Sequence, residues 1–166
     1  MPKGYIQSPL LIVRYAKARG KGGRAVYARK NISRGTLVEW APCIMIPEDE
    51  VGFDFGQVLP WYVFEWGKQD GKVMNGLALG YISLYNHSYD PNAYYEMEEP
   101  DCITIWAMED IAKGTEITIN YNGDPTDKTP VGFKVNGRGG VKSGGKARRM
   151  GALSIRKSKG YNDSGN

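Results

Sequence analysis

Two segments late in the chain, CITIWAM and EITINY, set the strictest limit on what it can fold into. In the first, Ile103, Ile105 and Ala107 alternate with Thr104, Trp106 and Met108. In the second, Ile117, Ile119 and Tyr121 alternate with Glu116, Thr118 and Asn120. A period of two places one set on a buried face and the other outside, which is strand behaviour; a helix would scatter both sets around its axis. The runs LLIVR, AVYA and TLVEWAPCIMI have the same character, and Gly-containing turns (RGKGGRA, SRGT, AKGT) separate the strands. Only WYVFEWGK and NGLALGYISLYN read as short helices. The chain is therefore expected to be mostly β, with short helical inserts. No internal repeat is evident, although I-x-x-G-T occurs twice, at Ile32 to Thr36 and Ile111 to Thr115.

Charge divides the chain into two parts. Residues 1–136 carry 14 Lys/Arg and 17 Asp/Glu, whereas residues 137–166 carry 8 basic side chains and 1 acidic one. That last stretch is rich in Gly, Ser, Lys and Arg and poor in large apolar groups, so it lacks the apolar surface needed to offset its ordering entropy. One domain over residues 5–136 followed by a flexible basic tail over 137–166 is the expected organisation. The tail could touch nucleic acid through non-specific, salt-sensitive contacts. Acidic residues gather in EMEEPD, Glu96 to Asp101, as a solvated loop or as a patch for a cationic partner. No run of 18 apolar residues occurs, so the expectation is a soluble protein without a membrane segment, cytoplasmic, or nuclear in a eukaryotic cell. Cys43 and Cys102 are too few for a disulfide framework and lack zinc-site spacing.

The chain's single histidine, His87, lies in LYNHSYDPNAYY with four tyrosines around it. A metal site needs three or four ligands, which one histidine cannot anchor alone. A nucleophilic pair with a Cys or Ser stays open, as does a purely structural imidazole. GKGGRA could cradle an anionic group through its backbone N–H groups, or simply turn the chain; it is not a P-loop. Tyr121, at the end of an alternating strand, reads either as a core tyrosine or as a hydroxyl aimed into a site.

Taken in order, three blocks resemble the SET-domain protein lysine methyltransferases. They are GKGGRAVYARKNISRGTLVEW, YNHSYDPNA (matching N-H-S-x-x-P-N) and AMEDIAKGTEITINY. With WYVFEW and GLALGY between them, the likeness runs from about Ile12 to Phe133. It is greatest to the minimal bacterial and viral members, which lack a zinc-binding segment after the domain. Where many relatives place a zinc-binding cysteine inside the NHS motif, this chain has Tyr89, and no cysteine follows Cys102.

The resemblance implies a SET fold: small β-sheets, a short helical insert and a C-terminal pseudoknot, with the NHS segment beside the strand that ends at Tyr121. It implies S-adenosylmethionine as cofactor and a protein lysine as methyl acceptor, in a histone or a histone-like basic protein. Tyr121 matches the catalytic tyrosine. Asn86, the backbone of His87, and Gly22, Gly23 and Arg24 match the cofactor contacts, while Tyr62, Tyr95 and Phe133 match the substrate channel. No metal is implied, and a homodimer is left open. One departure stands out: Ala25 replaces the second glycine of the usual G-x-G turn. The other reading is a catalytically weak SET-fold binding module with a nucleic-acid-binding tail.

Overall fold

The computed structural model describes residues 7–15, 23–52 and 58–131. Gly22, Phe133 and the basic tail lie outside the described residues. Nine strands are found among those described: β1 (Leu11–Tyr15), β2 (Arg24–Ala28), β3 (Leu37–Pro47), β4 (Val63–Gln69), β5 (Lys72–Ala78), β6 (Asn86–His87), β7 (Ala93–Glu98), β8 (Cys102–Ala107) and β9 (Thr118–Ile119). One short helix, α1 (Glu48–Val51), follows β3, and single 3₁₀ turns occupy Leu59–Trp61 and Ile82–Leu84. The mostly-β expectation is met.

β1 and β2 form an antiparallel hairpin, and a larger sheet runs β4-β5-β3-β8-β7. In CITIWAM, Ile103, Ile105 and Ala107 are buried as expected, and Cys102 and Thr104 of the opposite phase are buried too. Edge strands β4 and β7 would stand about 19 Å apart if the sheet were flat, at roughly 4.8 Å per strand. Yet Phe64 of β4 and Tyr95 of β7 meet edge to face, ring centroids 5.2 Å apart. The sheet is therefore strongly curled, and its concave side closes around these two rings.

The helical expectation for WYVFEWGK and NGLALGYISLYN is largely overturned. Val63–Gln69 and Lys72–Ala78 form the β4–β5 hairpin, turning at Asp70 and Gly71, both at positive φ. Only the two 3₁₀ turns remain helical. Short apolar runs do not distinguish a buried strand from a helix by period alone. EMEEPD also proves to be partly strand: Tyr95 is buried in β7, Glu96 is exposed and Met97 packs against the core.

The two I-x-x-G-T runs meet face to face. Ile32 and Ile111 exchange backbone hydrogen bonds at 2.9 and 2.8 Å. The Gly35 N–H donates to the Ala107 carbonyl at 2.8 Å, and the Gly114 N–H donates to the Ala28 carbonyl, also at 2.8 Å. The Arg34 N–H donates to Asp110 Oδ1, and the Lys113 N–H to Asn31 Oδ1. The matched stretches are thus Ala28–Thr36 and Ala107–Thr115, A-x-x-[N/D]-I-x-x-G-T in each, related by an approximate two-fold axis. Gly35 and Gly114 both take positive φ, +77° and +87°, which a side chain would make strained. This clasp joins the N-terminal block to the strand leading into Tyr121.

Candidate active site

β6 and β9 are two residues long each and run parallel, pairing Asn86 with Thr118 and His87 with Ile119. The NHS segment and the strand ending at Tyr121 therefore do lie side by side. Asn92 fastens the crossing, because its Nδ2 donates to the Glu116 carbonyl at 2.8 Å and its Oδ1 accepts from the Thr118 N–H at 3.0 Å. The His87 imidazole is part of the same joint. Its Nδ1 accepts the Tyr121 backbone N–H at 3.0 Å, which requires an unprotonated nitrogen. Burial, then the nearby Lys128 ammonium, lowers the His87 pKa to about 4, so the ring stays neutral near pH 7. The imidazole holds the backbone of Tyr121 in place.

The nucleophilic-pair alternative for His87 finds no thiol to support it. Burial first, then Cys102 and Asp101, pushes the Cys43 thiol up to about 12; burial and neighbouring carboxylates raise Cys102 as well. A reactive thiol needs the opposite environment. Among the described residues no group of three or more His, Cys, Asp or Glu side chains is placed to hold a metal ion.

Tyr121 is buried, and its hydroxyl donates to the Tyr85 carbonyl at 2.6 Å. Burial, then the phenols of Tyr62 and Tyr95 and the Glu116 carboxylate, raises its pKa well above the usual value. The structure thus gathers Tyr62, Tyr95 and Tyr121 around one spot. Tyr95 is buried, burial raises its pKa, and its hydroxyl has no hydrogen-bond partner among the described residues. Orphaned buried hydroxyls are uncommon and mark a place where a further group can bind.

Asn86 is the second such place. Its Nδ2 donates to the Arg24 carbonyl at 3.1 Å and to Glu116 Oε1 at 2.8 Å. Both of those atoms can only accept, so the amide orientation is fixed and Oδ1 must face the other way. That oxygen is buried without a partner among the described residues. A buried lone acceptor suits a cationic donor such as an ammonium group. Gly23 sits at φ +73°, immediately before Arg24 opens β2. Ala25 is fully buried in that strand, paired with Arg14, so its methyl lies in packed protein and not in the open space a ligand would enter.

Past Tyr121 the chain folds back over the NHS turn. The Tyr89 hydroxyl accepts the Val131 N–H at 2.9 Å, and the Tyr89 ring stands edge to face on His87 at 4.5 Å. Lys128 donates to the Tyr89 carbonyl and pairs with Asp90 at 2.9 Å. Asn120 and Asn122 bind the carbonyls of Asp127 and Thr129 at 2.6 and 2.8 Å. Tyr89 therefore anchors this segment through hydrogen bonds, at the position where many relatives use a zinc-bound cysteine.

Sequence reasoning missed Tyr85, Glu116 and Asn92 as parts of the site, and it left Glu39 without a role. All four lay inside the matched blocks, Asn92 as the final letter of the N-H-S-x-x-P-N motif. Their roles depend on which backbone groups they reach, and no linear pattern shows that.

The sequence pattern of the SET domain family matches residues 23–122. The chain belongs to the SET-domain family. It is a protein-lysine methyltransferase of that type, and such enzymes use S-adenosylmethionine. This SET domain is 33% identical over 119 residues to a Schizosaccharomyces pombe protein named histone-lysine N-methyltransferase, H3 lysine-37 specific; the match spans 70% of the chain and 75% of that relative. It is also 33% identical over 76 residues to the histone-lysine N-methyltransferase SET5 of Eremothecium gossypii, covering 46% of the chain but 14% of that protein. Among solved structures, a Plasmodium falciparum protein described as a histone methyltransferase superposes with a TM-score of 0.54 at 27% identity. That alignment spans 72% of this chain and 96% of the other. A chain from a structure of apo ctPRC2 with mutations in Ezh2 superposes with a TM-score of 0.55 at 21% identity, over 70% of this chain and 15% of that one, a likeness of fold alone.

Proposed function

We propose that this SET domain methylates the ε-amine of a lysine in a histone or histone-like basic protein, with Tyr121 as the catalytic residue. Asn86, the His87 backbone, Gly22, Gly23 and Arg24 hold the cofactor, and Tyr62, Tyr95 and Phe133 line the lysine channel. The observation that carries this reading is the arrangement at Tyr121, a buried phenol whose only proton is committed to the Tyr85 carbonyl. That bond orients the phenol oxygen, and a hydroxyl that donates its proton can also accept, here from an incoming amine.

S-adenosylmethionine supplies, when bound, an electrophilic methyl group on a sulfonium centre. The Asn86 oxygen is the fitting acceptor for the cofactor's ammonium group, and the packed methyl of Ala25 leaves the glycine turn free to approach it. The lysine must arrive neutral. From a reference pKa near 10.4, deprotonation at pH 7 costs about 4–5 kcal/mol. The Tyr62, Tyr95 and Tyr121 walls offset part of this by excluding water, which disfavours the charged ammonium. Tyr121 does not act as the base, because its phenol is held in the protonated form. Its role is orientation, and alignment of reacting atoms is the dominant source of rate in such a displacement.

The basic nature of the acceptor protein is supported by the names of the relatives and by the acidic edge of the sheet, where Glu96 and Glu99 are exposed. The test is incubation with labelled S-adenosylmethionine and a histone mixture, followed by mass spectrometry. Methyl groups are expected on lysine ε-nitrogens. Cofactor binding with no methyl on any lysine would instead favour the binding-module reading.

A further inference from the structure

Glu39 should not be buried. It lies in β3 in phase with buried Ala41 and Cys43, so the alternation carries a carboxylate into the core, where an ionised group is costly. A β-bulge shifts the register between Leu37 and Glu39, so that Leu37 opposes Trp106 and Glu39 opposes Ile105. The extra residue turns Val38 and Glu39 both inward, and Glu39 ends 2% exposed. Bulges of this kind re-aim side chains and concentrate beside active sites. No ion pair to Glu39 is found among the described residues. What it meets are two donors from one turn: the Tyr81 N–H reaches Oε1 at 2.7 Å, and the Tyr85 hydroxyl reaches Oε2 at 2.9 Å.

Those donors bracket the 3₁₀ turn Ile82–Leu84, and Tyr85 is the residue whose carbonyl takes the Tyr121 proton. Ser83 adds a further tie, its Oγ lying 2.8 Å from the Tyr62 carbonyl and 3.0 Å from that of Ala78. We propose that Glu39 is a positioning residue for methyl transfer: its carboxylate grips both ends of this turn, fixes the Tyr85 carbonyl, and so sets the direction of the Tyr121 hydroxyl. The proposal rests on the reading of Tyr121 as catalytic.

The grip depends on the charge of Glu39. Burial raises its pKa to about 7, opposed by the Tyr81 N–H and the Tyr85 hydroxyl. Among the described residues, the titratable groups placed around it are phenols: Tyr81 and Tyr85 from the turn, Tyr95 one strand further along the same row beyond Ile105, and Tyr121 behind the Tyr85 carbonyl. With Oε1 accepting from the Tyr81 N–H, the proton that keeps both contacts sits on Oε2, toward the Tyr85 hydroxyl. The Tyr85 hydroxyl must then reverse and accept, exchanging a charge-assisted bond for a weaker neutral one. Glutamine at this position reproduces the protonated pattern at every pH, with its carbonyl toward Tyr81 and its NH₂ toward Tyr85.

The experiment measures kcat at saturating cofactor and substrate for wild type and Glu39→Gln from pH 6 to 8.5. Taking the ratio cancels the titration of the substrate lysine. The expected ratio of wild type to variant is near one at pH 6 and rises through about pH 7 to about tenfold at pH 8.5, the worth of one hydrogen bond to a charged group. Cofactor affinity should stay within about twofold, since no Glu39 contact reaches Asn86. Tyr85→Phe removes the same bond from the other side, so it should match Glu39→Gln at pH 8.5, and the double variant should be no slower than either single one. Should Glu39→Gln fail to fold, Tyr85→Phe carries the same comparison. A ratio that stays flat across the range, or losses that multiply in the double variant, would overturn the proposal. Tyr121→Phe run alongside separates the two claims. If it is inactive while the ratio is flat, only the role of Glu39 fails; if it is as fast as wild type, the reading of the site fails.

Discussion

Two junctions tie the front of this chain to its back, and they are built on opposite terms. In the clasp of Ala28–Thr36 with Ala107–Thr115, donors and acceptors match across an approximate two-fold axis, and Ile32 and Ile111 fill its centre. In the crossing of Asn86–His87 with Thr118–Ile119, only two residues pair on each side, and side chains complete the joint. There the Asn86 oxygen, and nearby the Tyr95 hydroxyl, are buried without partners among the described residues. A joint whose hydrogen bonds are all made within the protein can only hold. One that keeps buried acceptors open has room to bind, and the clasp beside it supplies the rigidity that such an arrangement lacks.

Weakening the clasp should produce the largest effect of all. Ile32→Ala and Ile111→Ala each remove a buried side chain and are expected to cost about 2–4 kcal/mol, so together they approach the whole stability of a domain this size. Urea unfolding followed by tryptophan fluorescence would show it; a double variant with the wild-type midpoint would break the distinction between the junctions. At the crossing, Asn86→Ala should weaken cofactor binding about 10- to 100-fold, the worth of a bond to a charged group. Calorimetric titration with S-adenosylmethionine measures this, and an unchanged Kd would remove Asn86 from the cofactor site.

Acid and base should pull the crossing and its support in opposite directions. His87 has its pKa lowered from 6.5 to about 4 in the folded protein. The unfolded state therefore binds more protons between those values, and the His87 contribution to stability is lost as pH falls through that window. Glu39 is raised from 4.5 to about 7, so the folded state binds more protons there and stability falls as pH rises from 4.5 to 7. Between pH 4.5 and 6.5 the two slopes oppose each other. His87→Asn, whose Oδ1 can still accept the Tyr121 N–H, should leave the Glu39 slope alone, with stability falling as pH rises. Thermal melts between pH 4.5 and 7 read this directly, and a variant with the wild-type profile would refute the assignment to His87. The smallest expected effect is that of Tyr89→Phe, about 1 kcal/mol in urea unfolding for the lost bond from the Val131 N–H.

What the sequence made legible follows from the physics of each feature. Alternation marked Ile103, Ile105 and Ala107 as core because a period of two has one structural meaning over six residues. The three ordered blocks led to the NHS crossing, and His87 proved to brace it. The β4–β5 hairpin was misread because apolar runs around Trp66 and Leu77 carry no period that separates strand from helix. Glu39 was hidden for another reason: it shares the phase of buried Ala41 and Cys43, but a carboxylate is read as exposed until the donors that hold it are seen. I-x-x-G-T was visible as two short runs, but their two-fold pairing is a property of three-dimensional contact. Tyr85 contributes to the site through its carbonyl, and a backbone atom leaves no mark on residue identity.

The most direct measurement is methyl transfer and cofactor affinity determined on the same preparations of wild type and Tyr121→Phe. The variant should bind S-adenosylmethionine within a few-fold of wild type, because the Tyr121 backbone bond to His87 survives, and should transfer methyl about 100-fold or more slowly. Equal transfer rates would contradict the assignment of the chemistry to Tyr121 at this crossing.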